Sequence, residues 1–135
     1  MEKLSLSRLA AEFRSMAEQL DIEPYYKAFH TSTQHDGAPH VEIRSGKFEF
    51  VVSERGSELE RISGLDDDAV LYLLFEGITA IMATSYELRN RKPTGDGRAV
   101  WFPYQEKLMA RLKPSWGIRL KAEHQEILKT SPFRQ

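Results

Sequence analysis

Three short segments of alternating apolar and polar residues, separated by tight turns, constrain the fold of this chain most. The segments lie at residues 40–44, 47–53 and 57–62, and Ser45-Gly46 and Glu54-Arg55-Gly56 lie between them. Alternation with a period of two is typical of strands with one buried face, and turns this short join antiparallel neighbours. We therefore predict an antiparallel meander of three strands with one apolar face and one charged face.

Helices are predicted before and after the meander in the sequence. Apolar residues recur every three or four positions from about Ser5 to Leu20, which is typical of an amphipathic helix. A second helix is predicted at about 67–91, where apolar residues occupy most of the circumference, and two more at about 100–112 and 114–130. The predicted fold class is α+β, a single domain over residues 1–135. It has an N-terminal helix, a three-stranded antiparallel meander, and then three α-helices packed on one face of the sheet.

The segment between the first helix and the meander is less regular. Residues 25–31 are rich in aromatic side chains and suit either a strand or an extended lead-in. Residues 32–39 are polar and contain Asp36-Gly37, a pair typical of turns. We predict a loop there.

Composition indicates a cytoplasmic protein. The chain of 135 residues has no cysteine, which excludes disulfides and thiolate metal sites and fits a reducing compartment. The first residues lack the apolar run of a signal peptide. The longest apolar stretch, 69–83, is interrupted by Glu76 and Gly77 and is too short to span a bilayer. We therefore predict no membrane partner.

The charge distribution argues against nucleic acid as a partner. The net charge is −1, with an excess of acidic side chains over residues 1–64 and of basic ones over residues 96–135. Non-specific binding to nucleic acid needs a positive surface, whereas an acidic front half can attract a basic protein.

Motifs for catalysis and metal binding are missing from the sequence. There is no glycine-rich phosphate loop and no nucleophile elbow. His30, His35 and His40 are spaced five apart, which places neighbours on opposite faces of a strand. His124 has no partner at helical metal spacing. We predict no catalytic residue, metal or cofactor, and solvated or capping histidines.

Two carboxylates in the long helix leave alternatives open. Glu76 lies among apolar residues, where it is either a general acid or base, acting with His40 or Tyr86, or a charge that orders packing. Glu87 and Arg91 are four apart in the favourable order for a surface ion pair.

The residues of the meander and the long helix resemble a known family. The runs His40–Arg44, Gly46–Phe48 and Val51–Arg61 are similar to the sheet of immunity protein family 63 of bacterial polymorphic toxin systems. Further similarity lies in Leu71-Tyr72, Phe75-Glu76, Thr79, Tyr86–Arg89, Trp116, Ala122-Glu123-His124, Ile127-Leu128 and Pro132-Phe133. The resemblance covers roughly residues 40–133. Departures at Leu73, Gly77 and the linker 92–97 bear on partner specificity.

The resemblance implies a cytoplasmic antidote that binds a cognate secreted toxin domain, with no cofactor and no catalysis. Toxins that attack nucleic acid carry basic clefts, which acidic side chains on the sheet can complement. The predicted partner-binding residues are therefore Glu42, Glu49, Glu54, Arg55, Glu58 and Glu60. Alternatives are a regulatory adaptor or a homodimer formed through the apolar helix, and a small enzyme that uses Glu76.

Overall fold

The computed structural model describes residues 5–134, which form four α-helices, a short 3₁₀ helix and three strands. In chain order these are α1 (Leu6–Ala17), the 3₁₀ helix (Pro24–Lys27), β1 (Asp36–Arg44), β2 (Lys47–Glu54), β3 (Ser57–Leu65), α2 (Asp67–Arg89), α3 (Arg98–Leu112) and α4 (Pro114–Thr130). The predicted α+β order is confirmed, and α1 contacts β1. The chain divides into two compact units between Leu74 and Phe75.

The sheet is the predicted antiparallel meander, with the strand order β1-β2-β3. Both turns have two central residues with positive φ, at 53° and 74° for Ser45 and Gly46 and at 51° and 81° for Arg55 and Gly56. Two-residue turns with both φ angles positive match the twist of the strands they join. The two turns therefore fix the register of the meander.

The register assigns the side chains to two faces. Val41 lies opposite Phe50 and Ile43 opposite Phe48, which forms the apolar face. On the polar face, Glu42 of β1 lies opposite Glu49 of β2. On the same face, Val51 of β2 lies between His40 of β1 and Arg61 of β3. Buried side chains occur on both faces: Val41, Phe48 and Phe50 on the first, and His40, Glu49 and Val51 on the second.

The irregular segment before the meander differs from the prediction. Residues 24–27 form a 3₁₀ turn instead of a strand or an extended lead-in, because Pro24 has a fixed φ and no N–H and so suits the first turn of a helix. The predicted loop at 32–39 ends earlier than expected, since β1 begins at Asp36, which pairs with Glu54. A bulge between Asp36 and Pro39 accommodates this extension.

The starts of α1 and α2 have side-chain caps. Ser5 Oγ accepts a hydrogen bond from the Arg8 amide at 3.2 Å, and Asp66 Oδ1 accepts one from the Ala69 amide at 2.8 Å. Short polar side chains at this position satisfy amide groups that have no partner within the helix. The caps explain why both helices begin within a residue of the predicted positions.

Helix α2 is unusually apolar along its length. Judged by length and composition alone, it meets the criterion for a membrane-crossing helix, with a mean hydropathy of 1.4 over 18 residues. Core helices of soluble proteins meet the same criterion. Its first turns are buried at Val70, Leu71 and Tyr72, and 39% of the 18-residue window as a whole is buried.

In the second unit, α3 and α4 pack closely at Gly117. A Cβ added there would lie 2.5 Å from the Ala110 Cβ atom, which is well inside van der Waals contact. We expect Gly117→Ala to reduce the free energy of unfolding by about 1–3 kcal/mol, because the helices must separate. Urea denaturation measures this change.

Gly77 of α2 provides the matched control. It is also helical, and a Cβ there would meet no described atom within 4 Å. We expect Gly77→Ala to stabilise the protein by up to about 1 kcal/mol, because alanine loses less backbone entropy in a helix. Equal effects of the two substitutions would contradict the close helix approach at Gly117.

Candidate functional site

Arg61 lies at the centre of a cluster of charged side chains on the polar face of the sheet. Its guanidinium group contacts Glu42 at 3.1 Å, Glu49 at 2.5 Å and Glu58 at 2.6 Å. Glu49 also accepts a hydrogen bond of 2.6 Å from Ser63 Oγ. We call Arg61 and these four partners the Arg61 cluster. It links all three strands, since Glu42 is on β1, Glu49 on β2 and the rest on β3.

The electrostatics of the cluster favour the ionised states of Arg61 and of its three carboxylates. The Ser63 hydroxyl and then Arg61 lower the pKa of Glu49, and burial opposes them. His40 and Arg61 lower the pKa of Glu42, while Arg61 lowers that of Glu58. The pKa of Arg61 is raised by its three carboxylate partners, Glu58 first. Carboxylates held ionised in this way make poor general acids.

His40 is buried, contrary to the prediction of a solvated or capping histidine. Its Nε2 atom lies 2.7 Å from Glu42 Oε2. Its Nδ1 atom is also buried and makes no hydrogen bond within residues 5–134. The local alternation places His40 two positions before Glu42 on the same face of β1, so the ring extends the Arg61 cluster along that strand.

The predicted partner-binding residues divide between the two faces of the sheet. Glu42, Glu49 and Glu58 belong to the Arg61 cluster, and Glu49 is only 2% exposed. Glu60 lies opposite Val52 and is therefore on the apolar face, as is Glu54. The six residues thus do not form one charged surface. Alternation along β2 separates Glu49 from Glu54. A bulge separates Glu58 from Glu60, because Glu58 pairs with Ser53 and Glu60 with Val52, which leaves Leu59 between them.

An exposed group remains at the end of the sheet where β2 turns into β3. We call it the acidic end, and it consists of Asp36, Glu54, Arg55, Glu58, Leu59 and Glu60. All of these side chains are exposed, and the bulge residue Leu59 is 61% exposed. Asp36 belongs to this group because it pairs with Glu54 across β1 and β2.

Hydrogen bonds fix Asp36 in place. The Tyr25 hydroxyl donates to one oxygen of its carboxylate, and the Ala38 amide donates to the other at 3.0 Å. These two bonds lower the pKa of Asp36, and the same contact raises the pKa of Tyr25. The carboxylate is therefore charged and oriented at neutral pH.

Glu87, in the second unit, is a buried member of the predicted ion pair. Arg91 donates to both of its oxygens, at 3.0 and 2.9 Å, and lowers its pKa. The predicted pair is confirmed, but its location at a solvated helix surface is wrong for Glu87, which is buried. Burial follows from the close approach of Gly97, where a Cβ would lie 2.9 Å from Glu87 Oε1.

A second ion pair ties the C-terminal segment to the start of α3. Arg98 donates to Asp96 at 2.8 Å and to the carbonyl groups of Ser131 and Pro132, both at 2.9 Å. The amide of Arg134 donates to Asp96 at 3.0 Å. Beside it lies a cleft of about 430 Å³, lined by Glu87, residues 91–97, Ala99, Val100 and Arg134. Its carboxylates, Glu87 and Asp96, are both occupied by arginine side chains, so the cleft offers no free acid or base from them.

His124 is likewise buried and does not cap or face solvent. Its Nδ1 atom lies 2.7 Å from Glu106 Oε2, and its ring stacks on Phe102 at 3.8 Å. Among residues 5–134, no group of three or more side chains is placed to hold a metal ion.

The model of the family described as Immunity protein 63 matches residues 45–126. The chain belongs to this family. It is therefore an immunity protein, which neutralises a toxin by binding to it and not by catalysis. Searches of curated proteins and of solved structures found no match.

The matched region of the immunity protein contains most of the residues discussed above. It spans β2, β3, α2 and α3 and includes all of the acidic end except Asp36.

The enzyme alternative loses its basis, since the family acts by binding. Glu76 is half-buried on α2, and its carbonyl group accepts a hydrogen bond of 3.0 Å from Gln105.

The acidic end includes two residues that the sequence did not suggest for partner binding, Asp36 and Leu59, and the sequence likewise did not suggest Tyr25, which contacts Asp36. Asp36 was interpreted as part of a turn because Asp-Gly pairs favour turns. Tyr25 and Asp36 are eleven positions apart, and no helix or strand periodicity relates two residues across such a loop. For Leu59, the one indication in the sequence is that an apolar residue lies between two glutamates.

Proposed function

We propose that this immunity protein acts in the cytoplasm and covers a basic surface of its toxin with the acidic end of its sheet. The exposed carboxylates of the acidic end carry this proposal. Asp36, Glu54, Glu58 and Glu60 supply four carboxylates beside the exposed Arg55, and Glu58 is also paired with Arg61. Such a surface attracts a basic partner and fixes its orientation.

Exposed apolar groups beside these charges support the same surface. Leu59 projects from the bulge, and Tyr25 is 54% exposed next to Asp36. Interfaces commonly combine an aromatic or aliphatic anchor with a charged rim. The acidic end therefore offers both contact area and charge.

The acidic end is also held rigidly before the partner arrives. The β2–β3 turn has fixed positive φ angles, and Arg61 donates to both oxygens of Glu58, at 3.1 and 2.6 Å. A surface fixed in advance loses little conformational entropy on binding.

Charge reversal of Glu54 and Glu60 tests the proposal. We expect the double variant Glu54→Lys/Glu60→Lys to bind the toxin about 10–100-fold more weakly than the wild type. Most of this difference in affinity should disappear at high salt, which screens charges. Both residues lie outside the Arg61 cluster, so the fold is retained. Titration calorimetry with the purified toxin domain measures the affinity.

The matched control is Glu12→Lys/Glu18→Lys, with Glu12 on α1 and Glu18 directly after it, which changes the net charge equally at two exposed sites. It should leave the affinity unchanged. If both double variants lose affinity equally, overall charge and not the acidic end determines binding. If neither loses affinity, the toxin binds another surface.

A survival test in bacteria identifies the toxin itself. The C-terminal domain encoded by the neighbouring reading frame is expressed with and without this protein. Death without it, survival with it and co-purification of the two proteins are the expected results. Fractionation of the protected cells tests the cytoplasmic location, and recovery of the protein outside the cytoplasm would contradict that part of the proposal.

A further inference from the structure

The cleft at the linker 92–97 takes no part in the proposed contact with the toxin. We call it the linker cleft, and all of its lining residues belong to the second unit. Its volume of about 430 Å³ is within the range of about 300–1,000 Å³ that is typical of sites for small molecules. The linker cleft is therefore large enough to hold a small ligand.

Two ion pairs neutralise the carboxylates at the linker cleft. Arg91 is paired with Glu87 at 2.9 Å, and Arg98, next to the lining, is paired with Asp96 at 2.8 Å. These arginines lower the pKa values of both carboxyl groups, so both pairs are ionised at neutral pH. Each pair sums to zero, and the two carboxylates leave no net negative charge in the cleft.

Two further cations lie beside these pairs. Lys92 is exposed and makes no hydrogen bond or ion pair within residues 5–134. The side chain of Arg134 is 82% exposed, and its Nε atom lies 3.6 Å from the Asp96 oxygen that Arg98 also contacts. The lining and Arg98 together carry four cations and two carboxylates, which leaves a surplus of two positive charges.

This surplus and the lining of the linker cleft indicate the class of ligand. A phosphate monoester carries about 1.5–2 negative charges at pH 7, whereas a carboxylate carries one. Guanidinium groups bind phosphate oxygens through paired hydrogen bonds, and lysine binds them as a point charge. The apolar residues Pro93, Ala99 and Val100 also line the cleft, which suits the organic part of such an ester.

We propose that the linker cleft binds a small phosphate monoester. Lys92 and Arg134 neutralise the phosphate group. Arg91 holds Glu87 through Nε and Nη2, so its Nη1 group can donate to a phosphate oxygen. The backbone amide of Arg134 donates to Asp96 at 3.0 Å, which fixes this residue at the cleft before the ligand arrives. This proposal is independent of the acidic end and its toxin.

Titration with phenyl phosphate tests the proposal, since this compound joins a phosphate monoester to a small apolar ring. NMR spectra of the isotope-labelled wild-type protein should show saturable shifts of the linker amides, with a dissociation constant of about 1 mM or below. Benzoate, which has the same ring and a single charge, should bind at least about 10-fold more weakly. Failure of phenyl phosphate to saturate, shifts confined to other surfaces, or equally tight binding of benzoate would overturn the proposal.

Removal of the two surplus cations tests the location of the site. The double variant Lys92→Gln/Arg134→Gln should bind phenyl phosphate at least about 10-fold more weakly than the wild type. Both side chains are exposed, so the fold should be retained, which circular dichroism checks. The matched control is Lys107→Gln/Lys121→Gln, which removes two exposed charges of α3 and α4 outside the cleft lining and should leave the affinity unchanged. Equal affinities of the two double variants would refute the linker cleft as the site.

Discussion

Replacement of Trp116 by alanine is expected to reduce the free energy of unfolding by about 3–5 kcal/mol. Trp116 is 2% exposed, its ring centroid lies 5.9 Å from that of Phe75, and the Lys113 ammonium group lies 5.5 Å from its ring. Loss of the ring removes these contacts and leaves a cavity in the second unit. A small domain is stable by only about 5–15 kcal/mol, so a large share of the protein's stability depends on this side chain. Urea denaturation monitored by circular dichroism measures the loss.

Ile118→Ala on the same helix is the control for Trp116→Ala. Ile118 lies two positions further along α4 but is largely exposed, so its truncation should change stability by less than about 0.5 kcal/mol. Similar losses at the two positions would mean that the packing around Trp116 does not stabilise the unit. Wild-type stability of Trp116→Ala would have the same meaning.

Replacement of Arg61 by methionine is expected to lower the melting temperature at pH 7 by at least about 5 °C. Methionine has a similar length but leaves Glu42, Glu49 and Glu58 without their shared cation. Glu49 is the most affected, because it is buried and, among residues 5–134, keeps Ser63 and the more distant Arg44, at 3.5 Å. Differential scanning calorimetry measures the change. Arg55→Met, at the exposed turn of the same hairpin, should have little effect.

The loss in Arg61→Met should depend on pH. In the wild-type protein the cluster carboxyl groups have lowered pKa values. Their contribution to stability is therefore present above the unfolded pKa of about 4.3 and is lost as the pH falls through the folded values. In the variant, protonation relieves the unpaired Glu49 charge. The difference in melting temperature should thus be largest near neutral pH and shrink towards pH 4. A constant difference would show that Arg61 acts through packing alone.

The strands and helices were predictable because local signals determine them. The two turns contain glycine where a positive φ is required. A capping side chain marks the start of α1 and of α2, and Pro114 marks the start of α4. Such signals involve residues only a few positions apart. The order of elements and most of their boundaries follow from them.

The composition of the site was harder to predict because it depends on the pairing register. Simple alternation places Glu58 and Glu60 on one face, whereas the bulge at Leu59 places them on opposite faces. Local sequence patterns also do not indicate that Glu49 is buried and paired with Arg61. Contacts between distant residues, such as that of His124 with Glu106, depend on helix packing, which local patterns do not encode.

The simple order of the strands has a consequence for how the protein is made. Each strand pairs only with its neighbour in the chain, across turns of two residues, so little entropy is lost in closing the loops. Sheets with such local contacts form quickly. We expect the meander to assemble on the ribosome as soon as β3 has emerged, before α3 and α4 are synthesised. The acidic end of the sheet would then be among the first surfaces that a newly made antidote presents to its toxin.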